Sequence, residues 1–115
     1  MEGIQKFTIM KTTNQNSQFA LVPETFVFHE DAGHGWLEVP HSALVALKIQ
    51  GQVSGYSYRD SDTVYLEEDC DATLFITAYL LSVGKTGDDY HFFRSRCTSQ
   101  YDGDSSPIRN YQRYC

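Results

Sequence analysis

The chain has 115 residues, of which 41% are hydrophobic, 14% aromatic and 21% charged, and its net charge is −6. That length suits one domain with one core, and the composition excludes a disordered polyelectrolyte. The acidity argues against nonspecific binding to nucleic acid or to an anionic membrane, since both would repel the chain at long range.

In chain order, Ile4 to Met10 alternates weakly and predicts a short strand or a loose arm over residues 1–18, followed by a polar loop. Phe19 to Val22, stopped by Pro23, predicts a second short strand. Phe26 to Pro40, FVFHEDAGHGWLEVP, is the densest stretch and holds the only Trp. Alternation from Phe26 to His29, turn chemistry from Glu30 to Gly35 and a return from Trp36 to Val39 predict a β-hairpin. Gly33 and Gly35 are expected to supply unusual backbone angles.

Pro40 marks a helix start, and Gly51 is the expected C-cap of a helix over about 40–49. Tyr56, Tyr58 and Arg59 lead through Asp60 to Asp62 into Val64, Tyr65 and Leu66, which reads as a second hairpin. A longer helix over about 70–83 opens in carboxylates at Asp69 to Asp71, one of them expected to cap it, and stops at Gly84. Its stripes, Leu74-Ala78-Leu81 and Phe75-Tyr79-Ser82, suggest a helix with much of its girth covered. Lys85 to Asp89 reads as a turn and Tyr90 to Arg96 as a strand. A Gly and Ser loop then leads through Ser106-Pro107 to a small helical turn anchored by Ile108 and Tyr111. The expected fold is therefore α+β, a single small domain over residues 1–115 with an antiparallel sheet of hairpins packed by two helices.

Two polar clusters have metal-ligand chemistry. His29, His34 and His41 sit near Glu30 and Asp31, and Glu67, Glu68, Asp69 and Asp71 precede the longer helix. A site built from His29, His34, Glu67, Glu68 and Asp69 would need the two clusters to meet in space. The plainer reading makes the first a strand end with a solvated turn and the second a charge-complemented helix start. Cys70, beside four acidic neighbours, reads as a core residue, not a nucleophile. The cysteine count is odd and forms no C-x-x-C pair, which fits a reducing cytoplasm. No hydrolase elbow, zincin or phosphate-loop motif occurs, so no cofactor and no catalytic residue is expected. The longest apolar run is too short and too interrupted to span a membrane, and the opening residues lack a secretory pattern.

Charge is uneven. Residues 1–90 carry thirteen Asp and Glu against five Lys and Arg, whereas residues 91–115 carry four Arg against Asp102 and Asp104. The basic tail either folds back over the acidic body or marks a partner-binding face. His34, Trp36, Tyr56, Tyr58, Arg59, Arg109, Tyr111 and Arg113 are the residue types favoured at interface hot spots and are the candidate binding residues.

The segments HEDAGHGWLEVP, YSYRDSDTVYLEEDCDATLF and SPIRNYQRY, in that order, resemble a group of small proteins encoded by bacteriophages and mobile elements. The resemblance spans roughly Phe26 to Tyr114 and carries no assigned activity. It implies an accessory protein of a bacterial host cell that binds a host protein, such as an enzyme or defence factor it inhibits. The alternative from another class is a small metal-dependent enzyme using the His29/His34 turn and the Glu67–Asp71 cluster.

Overall fold

The computed structural model describes Phe7–Ile9 and residues 21–115. A short antiparallel pair comes first, β1 (Phe7–Ile9) against β2 (Leu21–Pro23). The rest of the arm expected over residues 1–18 lies outside the described residues. Alternation then builds β3 (Phe26–Glu30) and β4 (Gly35–Pro40), paired antiparallel with Glu30 opposite Gly35. β5 (Tyr58–Asp60) and β6 (Thr63–Glu67) form the second expected hairpin, closed by a two-residue turn in which Ser61 takes a positive φ of 61°. With β7 (Cys97–Tyr101) and β8 (Gln112–Arg113) these strands make one six-stranded sheet in the order β7-β3-β4-β6-β5-β8.

The chain is an α+β domain, as its patterning predicts. Two details depart from a sheet of hairpins with two helices. β7 runs parallel to β3, and a third helix, α3 (Tyr90–Arg94), stands where a strand over Tyr90 to Arg96 is predicted. The local cause is a capping box just upstream: Thr86 Oγ1 accepts from Asp88 N and Asp89 Oδ2 accepts from Thr86 N. That box commits Gly87–Asp89 to a 3-10 turn that runs directly into α3. The strand begins only at Cys97, in residues that lack strong apolar alternation.

Helix α1 (His41–Ala46) starts after Pro40 as expected, but Gly51 does not cap it. Lys48 does, at φ 63°, with Lys48 N bonded to Val45 O at 3.0 Å and Ile49 N to Leu44 O at 2.9 Å. This is the Schellman arrangement, with lysine in the place that normally takes glycine. Helix α2 (Ala72–Ser82) ends in the same arrangement with Gly84 at φ 80°. At its start Asp71 makes no cap bond. Its buried carboxylate instead accepts from Ser54 N, Ser54 Oγ and Ser57 Oγ, tying the segment before β5 to the helix entrance. Three competing donors outweigh one capping bond. Cys70, expected in the core, is exposed, and its hydrogen bond to the Glu67 side chain raises its thiol pKa.

One face of the sheet holds the core. Phe26, Leu37, Val39, Val64 and Leu66 pack against Phe75, Ile76, Tyr79 and Leu80 of α2 and Phe93 of α3. Phe26 is the hub: its ring lies 5.6 Å from Phe75, 5.4 Å from Tyr79 and 4.8 Å from Phe93. The first two are edge-to-face pairs, which add about 0.5–1.5 kcal/mol each beyond area burial. Only one of the two α2 stripes is truly inside, since Leu81 is 63% exposed.

Lys48→Gly should stabilise the protein by about 1 kcal/mol, because glycine removes the left-handed penalty of an exposed L-residue and returns only part of it as chain entropy. Urea unfolding of the two proteins reads the difference. A loss of stability would show that the Lys48 side chain contributes more than its backbone strain costs.

Candidate functional site

Side chains alternate along each strand, so the residues between the core positions face outward. On that outer face stand His29 of β3, Trp36 and Glu38 of β4, Tyr65 of β6 and Tyr58 of β5. The chain from Asp102 to Tyr111 lies across them before entering the sheet as β8. The basic tail does fold back over the acidic body.

Its anchor is Asp31, the first residue of the β3–β4 turn. The side chain is fully enclosed. Oδ1 accepts from Gly33 N, His34 N and Arg109 Nη2, each at 2.9 Å. Oδ2 accepts from Ser106 N at 2.8 Å and from Arg109 Nε at 2.5 Å. The Arg109 guanidinium holds the Asp31 carboxyl far below the ordinary carboxylate range, against the opposing effect of burial, with the backbone donors adding to it. The expected solvated turn is thus a buried ion pair. Gly33 and Gly35 serve it through close approach and not through positive φ. A Cβ on Gly33 would sit 3.1 Å from Arg109 Nη2, and one on Gly35 would strike the Glu68 carboxylate and the Phe28 ring.

From this anchor a polar chain runs along the sheet. Ser106 Oγ donates to Asp102 Oδ2 at 2.6 Å, and Gln100 Nε2 donates to Asp102 Oδ1 at 2.8 Å. These two bonds, Ser106 first, lower the Asp102 pKa. His29 Nδ1 lies 3.9 Å from the same Asp102 Oδ2, and its Nε2 is 2.7 Å from Glu38 Oε1. Serine, histidine and aspartate are therefore neighbours, but in the wrong order for nucleophilic catalysis. The carboxylate stands between hydroxyl and imidazole, and Ser106 Oγ is also occupied as the acceptor for Ile108 N.

The candidate binding residues mostly come together here. Arg109 lies over the Trp36 ring at 5.5 Å, Trp36 meets Tyr58 at 6.4 Å, and Arg113 lies over Tyr58 at 5.3 Å. Tyr111 packs on Tyr65 at 5.3 Å, where burial and then Glu38 push the Tyr65 phenol up to about 12. His34 stacks beside Trp36 at 6.0 Å. The result is a ladder in which two arginines flank a pair of aromatic rings, half-exposed along its outer side, with Trp36 buried beneath it at 2% exposure. Arg59 points to the opposite face and lies over Tyr114, while Tyr56 stands apart in a turn at 65% exposure.

The proposed metal ligands divide. His34 Nδ1 reaches to 3.7 Å from Glu67 Oε2, so the turn and the acidic cluster do meet. His29 does not join them, being engaged by Glu38 and Asp102. Glu67 Oε1 accepts from Asp69 N at 2.8 Å, which makes it a turn-forming side chain. Among the described residues no group of three or more His, Cys, Asp or Glu is placed to hold a metal ion. Nor is any described helix long and apolar enough to cross a membrane.

Sequence reasoning placed Asp31 in a solvated turn and missed its pairing with the tail, and it gave Asp102 and Ser106 no part in the site. The Asp31-Ala32-Gly33-His34 turn and the Ser106-Pro107 cap are each recognisable locally, but nothing in the sequence couples two residues 78 positions apart. No protein-family model matches this chain, and neither a curated protein nor a solved structure matches it.

The depressed Asp31 pKa fixes the sign of an acid response. The contribution of Asp31 is complete above its unfolded value of about 3.9 and is lost as pH falls below that toward the folded value. Urea midpoints of the native protein should be nearly flat down to about pH 4 and fall steeply between about pH 4 and pH 2. Those of Asp31→Asn should start lower and change less. Equal slopes would remove Asp31 as the acid-sensitive anchor.

Proposed function

We propose that the protein is a non-catalytic accessory factor of bacteriophage or mobile-element origin that binds a protein of the bacterial host, inhibiting an enzyme or defence system. The observation that carries this reading is the arginine–aromatic ladder of the outer face, in which half-buried Arg109 and Tyr58 and exposed Arg113 stack over and beside the buried Trp36 ring. Tyr, Trp and Arg dominate interface hot spots because they combine large contact area with directional polar ends. Here their rotamers are held in advance by stacking and by bonds such as Arg113 Nη1 to Gly55 O at 2.7 Å, so less side-chain entropy is lost on docking. The polar groups with catalytic potential are engaged internally, which also supports binding over chemistry. Arg109 is already paired with Asp31, so exposed Arg113 is the cation the ladder offers, and a partner that sets an acidic group against it and apolar groups on Tyr58 suits it best.

A photo-crosslinking residue placed at Arg113 should capture one host protein in cell lysate, unaffected by chelator, while the same residue at exposed Asp88 captures none. Equal capture at both positions would overturn the assignment of this face. The metal-enzyme reading has one observation in its favour, the approach of His34 to Glu67. It requires stoichiometric metal in the purified protein that disappears in His34→Ala.

A further inference from the structure

On the core side of the sheet, where α2 and α3 begin to part from the strands, lies a pocket of about 330 Å³. Its floor is apolar, formed by Phe28, Leu37, Ile76 and Phe93, and its mouth carries two exposed carboxylates, Glu30 and Glu68. Cys97 and Ser99 of β7 line it as well, and β7 is the edge of the sheet. Among the described residues no strand pairs with the far side of β7.

That edge is open to pairing. Phe26 N bonds to Arg96 O at 2.9 Å and Asp102 N to Glu30 O at 2.6 Å, so the even-numbered residues of this stretch turn their backbone groups toward β3. Parallel pairing through alternate residues then leaves the N–H and C=O of Cys97, Ser99 and Tyr101 directed away from the sheet. Proteins protect such edges with lysine, proline, bulges or very short strands. β8, at the other edge, has two residues. β7 has five, CTSQY, with none of the protecting types.

We infer that β7 and the adjoining pocket form a docking site for an extended segment of a partner protein, which adds as a seventh strand and places one lysine or arginine side chain in the pocket. Strand addition uses main-chain bonds for affinity and side-chain pockets for specificity, and Ser99 serves both the edge and the pocket wall. The pocket matches an amphipathic cation: the methylene stem lies on Phe28, Leu37 and Ile76, and the charged head meets Glu30 and Glu68. Negative charge is crowded there. Burial first, then Asp69, Glu67 and Glu30, raise the Glu68 pKa. The cation among the lining residues, Arg94, lies over the Tyr90 ring at 6.0 Å and makes no salt bridge to either carboxylate. A second copy of this chain is a poorer occupant, because edge-to-edge pairing would bring two acidic mouths and two charges of −6 together. This site is on the opposite face from the arginine–aromatic ladder and does not depend on it.

The test uses the full chain and a labelled octapeptide of alternating Thr and Val with one central Arg, compared with the same peptide carrying Glu there. The Arg peptide should bind at least tenfold tighter and should slow amide hydrogen exchange at Cys97, Ser99 and Tyr101. The double variant Glu30→Gln/Glu68→Gln should lose most of that preference while keeping the native circular dichroism. Arg94→Ala should bind the Arg peptide as well or better. Weaker binding by Arg94→Ala, preference for the Glu peptide, or unchanged exchange at those three amides would each overturn the inference. So would a dimer, or amides already protected in the free protein, since the edge would then have another occupant.

Discussion

The Asp31–Arg109 pair is the constraint on which the outer half of the molecule depends. An ionised carboxylate enclosed by protein is strongly unfavourable unless it is fully bonded, and five donors surround this one. Two of them belong to its own turn and three to a segment 75 to 78 residues away. The turn therefore cannot bury its charge without the tail, and the tail has no equivalent anchor elsewhere. Removing Arg109 leaves the Asp31 carboxylate enclosed without its charge partner, and removing Asp31 leaves the tail without its anchor, so hairpin and tail are expected to be gained or lost together. Arg109 also lies over Trp36, which makes the same guanidinium the start of the ladder.

The two faces of the sheet are closed by different physics. The inner face is sealed by aliphatic and aromatic burial against α2 and α3, which needs no directional bond. The outer face has one large buried ring, Trp36, and otherwise depends on hydrogen bonds, stacking and cation–aromatic contacts. Such a surface is ordered without being fully dehydrated. Its side chains stay available to a second protein while their geometry is already set, which is the condition that favours docking over further folding. Trp36 Nε1 is the exception to its good satisfaction, since it is buried without a hydrogen-bond partner among the described residues.

What the sequence makes visible is what is local. The β3–β4 and β5–β6 hairpins, the start of α1 at Pro40, the end of α2 at Gly84 and the turn after Pro107 all follow from spacing and from residues with fixed backbone preferences. The misreadings share a different cause, competition between local signals and distant partners. Asp71 has the chemistry of a cap, but Ser54 and Ser57 claim its carboxylate. Asp31 has the chemistry of an exposed turn, but Arg109 and Ser106 enclose it. Tyr90 to Arg96 alternates like a strand over a span too short to decide, and the Thr86–Asp89 capping box, itself readable, settles it as helix. Lys48 shows the limit in the other direction: a backbone position that asks for glycine tolerates another residue when the Schellman bonds close around it.

The arginine–aromatic ladder follows from topology once the strand order is set. β7 and β8 occupy opposite edges of the sheet, yet only ten residues separate Tyr101 from Gln112. Five inter-strand spacings amount to about 24 Å, and an extended chain of that length reaches roughly 36 Å. The tail can therefore cross the sheet directly, with enough slack for the single 3-10 turn at Pro107–Asn110, but not enough to go round the helices. The inner face is filled by α2 and α3, so the crossing must use the outer one. Three residues of the tail are thus delivered onto successive strand rows: Arg109 onto Trp36 of β4, Tyr111 onto Tyr65 of β6 and Arg113 onto Tyr58 of β5. The same crossing draws the chain away from the far side of β7, which is why one surface is stitched shut while the edge beside it stays open.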